Sequence, residues 1–144
     1  MRKIFLIAVA LISTVACSAQ NKDAILGKWL NASGEGQIQI YKKGDMYFGK
    51  LVWLKKPNDK DGKPKLDIKN PDKQLTTQKS SGLEILKNFS FSGNGVWENG
   101  TIYDPKSGKT YSCKITIEGN DKLYVRGFIG ISLLGRTETW SRVR

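Results

Sequence analysis

The sequence predicts an all-β fold built as an antiparallel meander, and two features carry that expectation. Apolar and polar residues alternate with period two over several short runs, and residues tolerant of positive φ separate those runs at close spacing. A strand that is apolar on one face must cover that face, so the chain must either pack two sheets or close a barrel.

Taken in order, Ile38 and Ile40 alternate with Gln37 and Gln39. Lys43-Gly44-Asp45 then reads as a hairpin turn. From Lys55 to Lys79 the pattern breaks, with eight Lys, four Asp and three of the four prolines, a composition too polar to pack and expected to stay hydrated as one long basic loop. Glu98-Asn99-Gly100 and Lys106-Ser107-Gly108 read as further turns. Tyr111, Cys113, Ile115 and Ile117 alternate with polar neighbours, Gly119-Asn120-Asp121 supplies another turn, and Leu123 and Val125 lead into Gly127.

The N-terminus predicts export. Met1-Arg2-Lys3 is a basic start, Ile4 to Ala16 is a continuous apolar run of h-region length, and small residues follow at Cys17-Ser18-Ala19. Residues 1–19 are therefore expected to be a signal peptide and 20–144 a single domain. Two fates remain open for the junction, cleavage after Ala19 or lipidation of Cys17. The run is shorter than the roughly 20 apolar residues that a spanning helix needs. Under either fate Cys113 is the one remaining thiol, so stability must come from the core rather than from a disulfide. About 125 residues suffice for that.

The chain carries 24 Lys and Arg against 13 Asp and Glu, a formal net charge of +11. In an exported protein such charge either aids solubility or points to anionic lipid, lipopolysaccharide or acidic envelope polymer rather than to nucleic acid. Lys55, Lys56, Lys60, Lys63, Lys65, Lys69 and Lys73 are the candidate contacts. Asp59-Lys60-Asp61-Gly62 resembles part of a calcium loop, but Pro57 and Ile68 stand at two required ligand positions and exclude an EF-hand.

Gly108-Lys109-Thr110 ends like a phosphate-binding loop, yet Tyr103 occupies the position of its first glycine, and a strand rather than a helix is expected to follow. Asp104 to Gly108 is instead read as a type I turn, with Pro105 preset at a φ of about −65° and Gly108 in the left-handed region. The sequence contains no histidine, which excludes Ser-His and Cys-His nucleophiles and His-ligated zinc. Cys113 falls on the apolar side of its alternation and reads as a buried thiol. Glu98 with Asp104, and Glu118 with Asp121, flank turns where acids are expected anyway. No catalytic residue, cofactor or metal site is predicted.

Several short motifs recur together: Gly27-Lys28-Trp29, Asp67 to Asp72, Gly82-Leu83 with Ile85-Leu86, Gly100 to Pro105, Gly108 to Tyr111, Val125 to Phe128, Gly135-Arg136-Thr137, and Trp140-Ser141-Arg142. In combination they resemble the exported bacterial family called domain of unknown function 2147, over Gly27 to Arg142. That resemblance implies a small lipocalin-like, calycin-type antiparallel barrel of about eight to nine short strands, and no established activity. It also implies that Trp29, in a first-strand G-x-W, is covered by the guanidinium of Arg142 at the closed end, with Arg136 and Arg144 as alternatives. The pair would be structural, worth about 0.5 to 2 kcal/mol in cation–π attraction. Tyr47, Trp53, Trp97, Tyr103 and Tyr124 are the candidate lining for a small apolar or amphipathic ligand, or else ordinary barrel filling.

Overall fold

The computed structural model describes residues 21–144; the expected leader and Cys17 lie outside them. The strands are β1 (Gly27–Leu30), β2 (Gly36–Lys43), β3 (Met46–Leu54), β4 (Glu84–Gly93), β5 (Val96–Asp104), β6 (Lys109–Glu118), β7 (Lys122–Phe128) and β8 (Gly135–Arg142). Each pairs antiparallel with its successor, and β8 returns to β1 with Trp29 opposite Arg142. The sheet is thus a closed eight-stranded barrel, within the strand count expected, and closure removes the edges on which other chains would pair. Among the described residues no helix is long and apolar enough to cross a membrane.

Up-and-down connectivity sorts the connections between two ends. The β2–β3, β4–β5 and β6–β7 turns share one end with the N-terminal residues 21–26, here the strap end. The β1–β2, β3–β4, β5–β6 and β7–β8 connections share the other, here the loop end.

Period-two alternation points one face of each strand inward. Ile38, Ile40, Tyr47, Leu51, Cys113, Ile115, Leu123 and Val125 are buried, whereas Gln37, Gln39, Lys114 and Thr116 between them are partly exposed. Trp29, Trp97 and Trp140 are fully buried, and each such side chain contributes roughly 1.5–3 kcal/mol by leaving water. The interior is filled by side chains that two glycines admit. A Cβ on Gly100 would stand 2.5 Å from the Phe89 ring, and one on Gly49 would stand 2.8 Å from a Leu86 methyl.

That packing corrects one expected turn. Asn99-Gly100 lies inside β5 as a bulge, with Asn99 at φ 64° and the β6 register shifting between Trp97 and Gly100. The hairpin instead turns at Asn94-Gly95, at φ 53° and 69°. Both Asn-Gly pairs tolerate positive φ, so local chemistry does not choose between them. The Phe89 ring does, by taking the space that a side chain at position 100 would need. Around Gly108 the turn is as expected: Ser107 N–H donates to Asp104 C=O at 3.3 Å and Gly108 N–H donates to it at 2.8 Å, Gly108 has φ 72°, and β6 follows.

The lysine-rich connection also departs from expectation. It spans residues 55–83 and folds back on itself: Lys65 N–H donates to Pro57 C=O, Asp67 N–H to Gln78 C=O and Ser80 N–H to Lys65 C=O, each at 2.9 Å. A single 3-10 turn, Lys73–Leu75, is capped by the Asp72 side chain accepting from Gln74 N–H. Apolar burial does not organise this segment; backbone pairing and one buried acid do.

Candidate functional site

Residues 21–26 cross the strap end and plug it with Ile25, which is fully buried. The Trp29 indole N–H donates to Ile25 C=O at 2.8 Å, and the Trp97 indole N–H donates to Lys22 C=O at 3.1 Å. The Arg142 guanidinium lies 4.2 Å from the Trp29 ring centroid. It donates to Leu26 C=O at 2.9 Å, Ala24 C=O at 2.6 Å and Asn120 C=O at 2.6 Å, tying the strap and the β6–β7 turn to the barrel floor. Gly27, at φ 125°, makes room, since a Cβ there would stand 3.0 Å from a guanidinium nitrogen. Arg144 pairs with Asp121 instead, and Arg136 stands opposite Gly127.

Tyr47 is buried beside Trp97, edge-on at 6.3 Å, and its hydroxyl donates to Asp23 at 2.8 Å. Burial and that carboxylate push the phenol up to about 12, while the hydroxyl's hydrogen bond holds the Asp23 carboxyl below its usual value. A shallow groove of about 350 Å³ opens here between Lys22, Lys42, Met46, Tyr47 and Phe91.

At the loop end, Asp67 is only 1% exposed. It accepts hydrogen bonds from the Tyr103 hydroxyl at 2.7 Å, Asn70 Nδ2 at 2.9 Å and Gln78 Nε2 at 3.4 Å. Burial and Asp67 push the Tyr103 phenol up to about 12. The loop backbone also rests on the β5–β6 turn, where a Cβ on Gly108 would lie 1.9 Å from Lys69 C=O. Lys55, Lys56, Lys60, Lys63, Lys65, Lys69 and Lys73 are all exposed on this scaffold. Among the described residues none of the seven sits within ion-pair distance of a carboxylate. Glu35, held below its usual value chiefly by Lys106, also feels Lys56 and Lys65.

The five aromatics read from the sequence therefore do not converge on one cavity. Tyr47 and Trp97 belong to the strap-end core, Tyr103 holds the basic loop, and Trp53 is 42% exposed. Tyr124 lines an outer groove of about 280 Å³ with Lys114, Thr116, Arg126, Ser132 and Thr137, and its hydroxyl bonds Glu118.

A family of bacterial proteins, described as uncharacterized proteins conserved in bacteria (DUF2147), matches the chain over residues 27–142. The chain belongs to this family. Among solved structures, this DUF2147 protein is similar to HP1028 from Helicobacter pylori, described as belonging to the lipocalin family, with a TM-score of 0.72 and 20% identity over 83% of each chain. At that identity the likeness is one of fold. No curated protein matches the sequence.

Three of the four acids singled out in this DUF2147 sequence, Asp104, Asp121 and Glu118, are engaged structurally. Asp104 accepts from Lys106 N–H and from the Ser107 hydroxyl within its own turn, and Asp121 pairs with Arg142 and Arg144. Glu118 takes the Tyr124 hydroxyl. Cys113 is 1% exposed, and burial pushes its thiol up to about 12, so it is a poor nucleophile. Among the described residues no group of three or more acids and cysteines could hold a metal.

The loop end also carries an exposed apolar cluster that period-two alternation does not mark. Ile129, Ile131, Leu133 and Leu134 are 71, 59, 83 and 75% exposed in the β7–β8 connection. Their signal was present in Gly127-Phe128-Ile129-Gly130-Ile131-Ser132-Leu133-Leu134-Gly135, an apolar run without period two and punctuated by glycine.

Proposed function

We propose that this protein is an exported, non-catalytic binding protein of the cell envelope that contacts an anionic surface through the basic loop 55–79. One observation carries the reading: seven lysines without a carboxylate partner are displayed on one folded loop at one end of the barrel. Cations held in no close ion pair keep most of their field for an external anion. Export follows from residues 1–19 read as a signal peptide, with cleavage after Ala19 or an acyl chain on Cys17. The reading as a binder rather than a catalyst is supported by the lipocalin-like fold and by acids that serve turns and ion pairs.

The test is replacement of Lys56, Lys60, Lys63 and Lys69 by Gln, followed by sedimentation with anionic vesicles at low and physiological salt. Stability should stay within about 0.5 kcal/mol of wild type, because these charges are exposed. Association should weaken by on the order of 1 kcal/mol for each lysine near the surface. Equal binding by both proteins at both salts would remove this reading. The groove beside Tyr47 and Phe91 supports a second reading, a small apolar or amphipathic ligand held at the strap end. Mass spectrometry of lipid extracts from protein isolated from its native envelope would detect such a ligand.

A further inference from the structure

We infer that the β7–β8 connection, Ile129 to Leu134, is a finger that inserts into a lipid bilayer, which makes the contacted surface an anionic membrane rather than a polymer. The inference rests on the proposed role of the basic loop and names the partner of that same end. Four aliphatic side chains stand in water over six residues, with Leu133 83% exposed at the tip. A soluble protein rarely presents such a cluster without an occupant for it.

The finger is held in shape rather than left loose. Arg126 Nε donates to Ser132 C=O at 2.6 Å and Arg126 Nη1 donates to Thr137 Oγ1 at 2.8 Å, bracing its base. Leu134 N–H donates to Ile131 C=O at 3.1 Å, and Gly130 turns at φ 75°. Arg136 follows directly, so cationic side chains flank the apolar tip on both arms. The basic loop at the same end carries its own exposed aliphatic, Ile68 at 71%, beside the buried Asp67.

Apolar tip, cationic flanks and a lysine loop at one end together match the demands of an anionic bilayer interface, where aliphatic groups enter the acyl boundary and cations remain among the headgroups. A glycan or acidic polymer would take up the lysines but leave the four aliphatics in water. A second copy fits less well. Four side chains alone make a small patch beside the roughly 800 Å² per partner of a standard protein interface.

The test uses the exported chain carrying Cys17→Ser, so that no acyl chain contributes, and phosphatidylcholine vesicles with or without about a third phosphatidylglycerol. Leu133→Cys is labelled with a polarity-sensitive fluorophore; Cys113 stays buried and unlabelled. A label at Asn120→Cys, exposed in the strap-end β6–β7 turn and away from the groove beside Tyr47, serves as the control. The expected result is brighter, blue-shifted emission from position 133 on anionic vesicles, quenched by spin-labelled acyl chains, with no response at position 120. The double variant Leu133→Ser, Leu134→Ser should keep its thermal stability and bind anionic vesicles at least 10-fold more weakly, with unchanged salt dependence. Sedimentation with anionic vesicles but a silent label at 133 would overturn the finger while leaving the lysine contact standing. Absence of sedimentation altogether would overturn both. Concentration-dependent dimerisation that the double Ser variant abolishes, without a lipid response, would assign the tip to a second copy and overturn the lipid reading.

Discussion

Replacing Arg142 by Ala tests how the barrel is closed at its strap end. The side chain donates to Ala24 and Leu26 C=O in the strap and to Asn120 C=O in the β6–β7 turn, and covers Trp29 at 4.2 Å. Hydrogen bonds from a charged donor are worth about 1.5–3 kcal/mol each, but the freed carbonyls sit near the end of the barrel and regain some water. Taking the low end for the two strap bonds and about 1 kcal/mol for the cation–π contact, the loss is about 4 kcal/mol. The ion pair to Asp121 at 3.8 Å adds little, because that carboxylate is mostly exposed. A loss of this size is a large share of a typical 5–15 kcal/mol stability and should lower Tm by roughly 15 °C. Arg142→Lys should recover less than half, since an ammonium cannot fork between strap and turn while lying flat on the indole. Urea unfolding followed by tryptophan fluorescence measures all three proteins. With Trp29→Ala, which should cost about 3–5 kcal/mol alone, the double variant should lose less than the sum. A loss below about 1 kcal/mol for Arg142→Ala, full rescue by Lys, or strict additivity with Trp29→Ala would refute the closing role.

Asp67→Ala removes the acceptor shared by Tyr103, Asn70 and Gln78, so it should cost about 2–3 kcal/mol and speed tryptic cleavage within residues 55–83 while the barrel stays resistant. Gly100→Ala puts a methyl into the Phe89 ring and should cost about 1–3 kcal/mol by thermal melting, whereas Gly44→Ala meets no neighbouring atom and carries only the strain of its φ of 59°. Cys113 should resist a disulfide reagent at neutral pH until urea unfolds the chain, at which point one thiol per molecule should react. Stability should fall as pH rises through about 9 to 12: the Cys113 thiol and the Tyr41, Tyr47 and Tyr103 phenols are pushed up to about 12, so the unfolded chain releases their protons first. Melting temperature measured from pH 8 to 11 checks this, and a flat profile would contradict it.

The sequence by itself determined the strand content, because period-two alternation at Ile38 and Ile40, or at Cys113 and Ile115, is a local consequence of the pleat and needs no partner to be read. It also determined the turn at Asp104 to Gly108, where proline and glycine dictate φ directly. Tertiary structure decided what depends on neighbours distant in the chain. Which Asn-Gly pair turns the β4–β5 hairpin was set by the Phe89 ring lying over Gly100. The fate of the basic connection was set by Asp67, whose burial depends on Tyr103, 36 residues away. The β7–β8 tip was likewise invisible as a site, since nothing local to four aliphatics between glycines says on which side of the closed barrel they stand. Alternation fixes which residues share a face of a strand; only closure of the sheet fixes which end of the barrel each connection occupies.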